Sequence, residues 1–273
     1  METLSKTYFP ELKDIEKAAN RLKSVIANSP LSQNMTYSKK YKANVLLKRE
    51  DLQNVRSYKI RGAYNKITSL SINKKTKGIV CASAGNHAQG VAFSCNEEKI
   101  KGTIFMPTTT PQQKIDKVKW FGGIHVKLIL FGDTFDDAKK EAIKFSKDNN
   151  CTFIHPFDDP IIIEGQGTIG LEILNQTSKH IDYLFLPVGG GGLIAGCALA
   201  AKEMNKNISA ANILGVNNNR LRTEFKDRQL SDATFRNLAR GKFEPYFPSD
   251  DIQERSREIA NNLGDPNIFR EVE

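Results

Sequence analysis

The sequence contains few of the residues that build metal centres or disulfide frameworks. Among its 273 residues there are four cysteines and four histidines. The cysteines form no CxxC pair and no zinc-like spacing; they are Cys81, Cys95, Cys151 and Cys197. The histidines are scattered along the chain. We therefore expect reduced core thiols, a cytoplasmic location and no metal site.

Features of membrane insertion and secretion are also lacking. Residues 184–201 form an uncharged run of about membrane-spanning length, but they include Pro187 and four consecutive glycines, which interrupt a helix. The N-terminal stretch METLSKTYFPELKDIEK is polar almost from its start. It does not have the apolar segment of a secretory signal, so we expect no membrane association.

Arginine is rare over most of the chain. Residues 1–216 contain 26 lysines and 4 arginines, whereas residues 217–273 contain 2 lysines and 8 arginines. The net charge is +9, but the lysines are dispersed, without arginine clusters or interleaved aromatic residues. This distribution predicts a lysine-rich surface and no nucleic-acid binding. The reversed ratio of lysine to arginine marks residues 217–273 as an atypical tail, to which we assign no fold.

Apolar runs and helix-like segments alternate through the middle of the chain. The strand-like runs cover residues 44–48, 78–82, 102–106, 125–131, 183–188 and 212–216. The helix-like segments cover residues 8–28, 86–97, 112–120, 134–147, 166–176 and 193–204, and residues 71–77 form a polar connection. Strand, helix and strand at this spacing predict an α/β fold with parallel sheets. We expect a small α/β domain (71–155) inserted in a larger domain (1–70 and 156–216).

Lys59 is the candidate nucleophile. It lies in the stretch EDLQNVRSYKIRGAY (50–64), where we expect Ser57 to cap a helix. Lys59 then falls in the first turn, where bare N–H groups and the helix dipole disfavour an ammonium group. A lowered pKa is what a Schiff-base lysine needs. The alternative is an exposed surface lysine.

Two small-residue loops resemble anion sites. The loops SAGNHA (83–88) and PVGGGGL (187–193) each follow an apolar run and precede a helix-like segment, which is the arrangement that binds anions through backbone N–H groups. One lysine and two such loops are what an amino acid joined to pyridoxal phosphate requires. A Rossmann site is disfavoured because GGGG lacks the GxGxxG spacing, and apolar flanks disfavour a flexible linker. An ordinary capped turn remains open for the Ser83 loop.

Five motifs in order carry a resemblance to a known family. They are KREDLQ (48–53), SYK (57–59), SAGNHAQG (83–90), GQGT (165–168) and GGGG (189–192). Together they resemble the fold-type-II pyridoxal-phosphate enzymes, which have the tryptophan synthase β-like fold, and within them the threonine/serine dehydratases. The resemblance runs from about residue 10 to residue 216. It implies two parallel-sheet domains, with the large domain incomplete at its C-terminus.

The resemblance also implies roles for individual residues. Lys59 would form the Schiff base with pyridoxal phosphate, and Tyr58 would lie beside the cofactor ring. Asn86 would donate to the ring hydroxyl. The cofactor phosphate would be held by Gly189, Gly190, Gly191, Gly192 and Leu193. The substrate carboxylate would be held by Ser83, Ala84, Gly85, Asn86 and His87. The GQGT motif receives no separate role.

The implied reaction is deamination of L-threonine to 2-oxobutanoate, in isoleucine biosynthesis or threonine catabolism. Serine dehydratase and serine racemase share the motifs, so L-serine remains an alternative substrate. A third hypothesis is a non-catalytic chain that binds the cofactor. Because the family pattern is lost at residue 217, we expect a loosely packed or disordered tail and weak or absent turnover. The expected partners are a small amino-acid substrate and further copies of the same chain in a homo-oligomer.

Overall fold

The computed structural model describes residues 10–204 and the strand 213–216. The α-helices are α1 (Leu12–Leu22), α2 (Met35–Tyr41), α3 (Lys59–Ser69), α4 (Ile72–Thr76), α5 (Asn86–Glu97), α6 (Gln112–Gly122), α7 (Phe135–Asp148), α8 (Pro160–Gln176) and α9 (Gly192–Met204). The strands are β1 (Leu31–Gln33), β2 (Leu46–Lys48), β3 (Ile79–Ala82), β4 (Gly102–Met106), β5 (Val126–Leu130), β6 (Thr152–Phe153), β7 (Leu184–Pro187) and β8 (Ile213–Val216). Short 3₁₀ turns cover Glu50–Leu52 and Gly123–His125. The predicted tail, 217–273, lies outside the described residues.

A four-stranded parallel sheet of order β5-β4-β3-β6 forms the first layer of the fold. Strand β3 is buried along its whole length, as expected where helices cover both faces of a parallel sheet. Ile79 and Cys81 join a core with residues of α5 and α6, whereas Val80 and Ala82 pack against Ala138 of α7. This two-residue alternation places one helical layer on each side. The sheet falls within residues 71–155, and the domain division itself stays a prediction.

Three helices, α3, α8 and α9, pack closely together, and α3 also packs on α5. Helix α8 lies between the other two and touches each through glycines. Gly167 of α8 faces Gly196 of α9, and a Cβ built on Gly196 would lie 2.6 Å from the backbone nitrogen of Gly167. Strands β7 and β8 pair in parallel, and β1 and β2 pair antiparallel. The glycines of the GQGT motif thus allow the close helix crossing that supports α3.

Replacing Gly196 by alanine should weaken this crossing. The added methyl group has no room against the α8 backbone, so the two helices must separate. We expect the free energy of unfolding to fall by about 1–3 kcal/mol, as for overpacked core sites. Urea unfolding followed by circular dichroism measures this change. Ala198→Ser, on the same helix at a half-buried position, is the control and should change the free energy little. Equal stability of both variants would contradict the packing argument.

The predicted strands and helices follow the order seen in the structure, but three segments differ from their predicted extent by more than two residues. The helix predicted over 8–28 already ends at Leu22, and beyond it the Gln53 side chain binds the backbone N–H and carbonyl of Ala27. The polar connection 71–77 contains the short helix α4, capped by Ser71. Helix α8 starts six residues before the predicted position 166, since Asp159 caps it and Pro160 suits its first turn. The sequence analysis missed α2, β1 and β6.

No helix among the described residues has the length and apolar character needed to cross a membrane. In the same part of the chain, no group of three or more His, Cys, Asp or Glu side chains is arranged to hold a metal ion.

Candidate active site

The Lys59 amine lies at the start of α3, deep among protein atoms although part of the side chain remains accessible. Its Nζ donates a hydrogen bond to the carbonyl oxygen of Pro156 at 2.9 Å. It also lies 5.4 Å from the centroid of the Tyr58 ring. Burial lowers the pKa of Lys59 to about 8. A minority of the amine, though far more than for an ordinary lysine, is therefore neutral and nucleophilic near physiological pH.

The predicted pKa direction and first-turn position of Lys59 are confirmed, but the predicted cap is wrong. Tyr58 rather than Ser57 precedes the helix, and it makes no side-chain cap. Ser57 is buried, and its Oγ has no hydrogen-bond partner among the described residues. Ser57 is one position too early to reach the free N–H groups. The cause of the lower pKa is desolvation of the amine, where the sequence argument invoked the helix dipole.

The Ser83 loop joins the end of β3 to the start of α5 at Asn86. Ser83 to Asn86 are half-buried, and the Ser83 Oγ accepts a hydrogen bond from the N–H of Gly85 at 3.2 Å. A Cβ on Gly85 would meet nothing within 4 Å, so there is open space beside this loop. The loop has room for a ligand at the N-terminus of a 12-residue helix.

His87 is the buried end of the Ser83 loop (83–88), which is the predicted substrate loop. Its Nε2 lies 3.1 Å from the carbonyl oxygen of Ile154, an acceptor only, so the ring nitrogen donates this bond. Burial, followed by the charge of Lys59, lowers the pKa of His87 to about 3. The ring is therefore neutral, and its Nε2 is already hydrogen-bonded to the carbonyl oxygen of Ile154. This leaves the backbone of His87, rather than its ring, as the candidate contact for a carboxylate.

The glycine loop joins the end of β7 to the start of α9 at Gly192. Gly191 has a φ of +86°, a conformation that side chains disfavour. A Cβ on Gly190 would overlap the ring of Phe157, and one on Gly192 would lie 2.6 Å from the Phe157 carbonyl oxygen. Gly189 has open space around it. The loop thus needs glycine for its backbone shape and for close contact with Phe157.

Tyr58 and Leu193 belong to the same apolar cluster. Leu193 is buried beside Leu186 and Cys197, and the Tyr58 ring packs against this group. Burial, with a smaller effect of nearby Cys197, raises the pKa of Tyr58 to about 12. The phenol is therefore neutral, and the cluster brings the Lys59 segment to the start of α9.

A short turn at residues 154–158, which the sequence analysis missed, connects the predicted parts. The Nδ1 of His155 accepts hydrogen bonds from the N–H groups of Asp158 at 2.7 Å and Phe157 at 3.3 Å. The His155 ring meets the Phe157 ring edge to face, with centroids 4.9 Å apart. Through this turn Pro156 contacts Lys59, Phe157 contacts the glycine loop, and Ile154 contacts His87. The available signal was the sequence HPFDDP between a strand and a helix.

The predicted site residues therefore converge around one turn. The buried lysine, the substrate loop and the glycine loop all contact residues 154–157, so they lie at one place in the fold. Ala84 and Asn86 lie in the substrate loop beside residues that make these contacts. The individual ligand roles of all these residues stay predictions.

Comparison with known proteins gives the family. The model of the family described as pyridoxal-phosphate dependent enzyme matches residues 22–264. The chain belongs to this family. The family match extends past residue 216, the point where the sequence resemblance was lost.

Curated relatives match a shorter part of the chain. The L-threonine dehydratase biosynthetic IlvA of Halalkalibacterium halodurans is 52% identical over 195 residues, which is 71% of this chain and 47% of the relative. That of Bacillus subtilis is 50% identical over 195 residues, 71% of this chain and 46% of the relative.

Solved structures of the family share the fold. The processed form of threonine deaminase isoform 2 from Solanum lycopersicum has a TM-score of 0.69 and 42% identity, covering 78% of this chain and 58% of that one. Maize serine racemase has a TM-score of 0.71 and 32% identity, covering 77% of this chain and 61% of that one. The fold is that of the fold-type-II enzymes of this family, whose cofactor is pyridoxal phosphate. The chain spans about half the length of the curated relatives it matches.

Proposed function

We propose that the chain binds pyridoxal phosphate through Lys59 and deaminates L-threonine to 2-oxobutanoate and ammonia. The observation that carries this proposal is the buried Lys59 amine, with a pKa of about 8, where the turn 154–158 joins the glycine loop and the Ser83 loop. The names of the relatives, biosynthetic threonine dehydratases at 50–52% identity, support threonine as substrate. Isoleucine biosynthesis is then the expected context.

The residues fit the cofactor on three counts. The amine that must attach to it is buried and partly neutral. The loop 189–192, whose glycines leave backbone N–H groups uncovered, lies at the N-terminus of α9, and Leu193 is buried behind it. Open space lies beside Gly85 and Gly189. In the proposal the glycine loop holds the phosphate, Tyr58 lies beside the ring, and Asn86 donates to the ring hydroxyl.

The chain's own residues would then bind, orient and deprotonate the substrate. Pyridoxal phosphate, when bound, supplies an electron sink for the charge left when the α-proton is removed. The Ser83 loop would hold the substrate carboxylate through backbone N–H groups at the start of α5. Released Lys59, about half neutral near pH 8, would accept the α-proton, and loss of the β-hydroxyl as water would follow. The neutral His87 adds no competing positive charge beside the amine.

L-Serine is the second candidate substrate, because the fold matches maize serine racemase at 32% identity. Serine and threonine differ by one methyl group at the β-carbon. One missing methyl in a pocket changes discrimination by about 1–3 kcal/mol, so both substrates can enter one site. Racemisation returns D-serine, whereas elimination gives pyruvate, and the product separates the two reactions.

The test titrates the purified chain with pyridoxal phosphate and then adds L-threonine or L-serine. We expect an absorbance band of the protein-bound cofactor and formation of 2-oxobutanoate from threonine. A band without any product would favour the cofactor-binding hypothesis, and product from serine alone would overturn the choice of threonine. Turnover of about 1 per second or more would contradict the expectation of weak activity. Absence of the band would overturn the proposal.

The proposal includes a cytoplasmic location and a homo-oligomer, without nucleic-acid or membrane partners. All four cysteines are free thiols, which is usual in a reducing compartment.

A further inference from the structure

Arg61 is a fully buried charge two residues after Lys59. Its side chain is 1% exposed, although α3 places it in the first turn beside the candidate active site. A guanidinium group has five N–H donors in a fixed fork, and all five are used here. Nε and Nη2 donate to the carboxylate of Glu50 at 2.8 and 2.7 Å. Nη1 and Nη2 donate to Glu172 at 2.7 and 2.9 Å, and Nη1 also donates to Thr168 at 3.1 Å.

The charges around Arg61 balance. The Nζ of Lys48 donates to Glu172 at 2.6 Å and is itself buried. Two cations, Lys48 and Arg61, thus face two carboxylates, Glu50 and Glu172. Ser29 donates to Glu50 at 2.6 Å and completes its shell. The network joins the first turn of α3 to the 3₁₀ turn at Glu50 and to the second half of α8.

The first turn of α3 has no side-chain cap, although Ile60 is buried within it and Gly165 of α8 packs on its backbone. Ser57 does not cap the helix and Tyr58 makes no side-chain cap. Residues 59 and 61 are about 200° apart around a helix, so their side chains leave opposite faces. Lys59 reaches Pro156 on one face, while Arg61 is held by Glu50, Thr168 and Glu172 on the other. Fixing one face sets the rotation of the turn, and therefore the place of the Lys59 amine.

We propose that Arg61 is a positioning residue, whose five hydrogen bonds fix the first turn of α3 and hold the Lys59 amine against the carbonyl of Pro156. The functional meaning rests on the proposed role of Lys59. The positioning itself concerns contacts within the chain and can be measured without cofactor. It gives the GQGT motif a second role, since Thr168 is one of the partners that hold Arg61.

The test measures the reactivity of Lys59 in the cofactor-free chain. Competitive acetylation across a pH series, with peptide mapping by mass spectrometry, gives the pH midpoint of Lys59 labelling. The titratable groups that face this amine are Tyr58 from its own segment, His87 from α5 and His155 from the turn 154–158, and the variants leave all three in place. Arg61→Lys keeps the charge but loses the fork. We expect the midpoint to rise by about one pH unit, a tenfold smaller neutral fraction at pH 7.

The matched control is Tyr64→Phe on the same helix. It removes the hydrogen bond from Tyr64 to Glu98, at 2.7 Å, which lies away from the first turn. We expect its Lys59 midpoint to equal that of the unmodified chain even if thermal stability falls. If Arg61→Lys does not fold, Thr168→Val removes one partner of Arg61 and should move the midpoint in the same direction by a smaller amount.

An unchanged Lys59 midpoint in a folded Arg61→Lys or Thr168→Val chain would overturn the proposal, as would an equal shift in Tyr64→Phe. Failure of the chain to bind pyridoxal phosphate would overturn the proposed function and leave this result standing. The proposed function and the positioning role of Arg61 can therefore be refuted independently of each other.

Discussion

Lys59→Ala is expected to lower threonine deamination by at least about three orders of magnitude, because it removes the cofactor attachment and the proton acceptor together. Among the described residues, the other titratable groups that face the amine are the phenol of Tyr58 and the imidazoles of His87 and His155, and none of them is a primary amine. His87 is kept neutral by burial and is bonded to Ile154. The measurement is 2-oxobutanoate formation at saturating threonine.

Lys66→Ala is the matched control for this experiment. Lys66 lies on the same helix and forms an ion pair with Asp159 at 2.6 Å, next to the turn 154–158, whereas the Lys59 amine bonds to Pro156. We expect it to retain cofactor attachment. Borohydride reduction of the loaded chain, followed by peptide mapping, should place the cofactor on Lys59. A label on Lys66 or on another lysine, or activity retained in Lys59→Ala, would refute the assignment.

The elements that local patterns determine could be predicted from the sequence. Apolar runs bounded by turns identified β3, β4 and β7, and the boundaries of α5 agree with the prediction at both ends. The lowered pKa of Lys59 was predicted from its position at a helix start. The predicted direction of the pKa shift is right, but the argument for it was incomplete, since burial by distant segments causes the shift.

The remaining features depend on contacts between segments far apart in the chain. Arg61 binds Glu172, 111 residues away, and Lys59 binds Pro156, 97 residues away. Neither pairing leaves a periodic signal in one sequence. The role of Phe157 was hidden for the same reason, because a phenylalanine in a loop does not show which glycines it will contact. Ser57 was assigned as a cap because its residue type favours caps, although the helix starts one position later.

Gly190→Val is expected to lower the affinity for pyridoxal phosphate by at least about tenfold, the equivalent of about 1.4 kcal/mol. Two physical causes are possible at this position. A β-branched side chain blocks the approach of an anion to the backbone N–H groups, and it also collides with the ring of Phe157. Equilibrium titration of cofactor absorbance or fluorescence measures the affinity.

A second substitution separates these two causes. Phe157→Ala removes the ring that a side chain at position 190 would overlap. If Gly190→Val weakens binding by displacing Phe157, then Phe157→Ala alone should weaken it about as much, and the double variant should be no worse. If the valine blocks the anion directly, the double variant should remain weaker than Phe157→Ala. Gly189→Ala is the stability control, because its added methyl group has open space, so its free energy of unfolding should stay unchanged. Unchanged cofactor affinity in a folded Gly190→Val chain would show that the phosphate binds elsewhere. A loop that accommodates valine beside Phe157 without loss of affinity does not hold the phosphate through closely approaching backbone N–H groups.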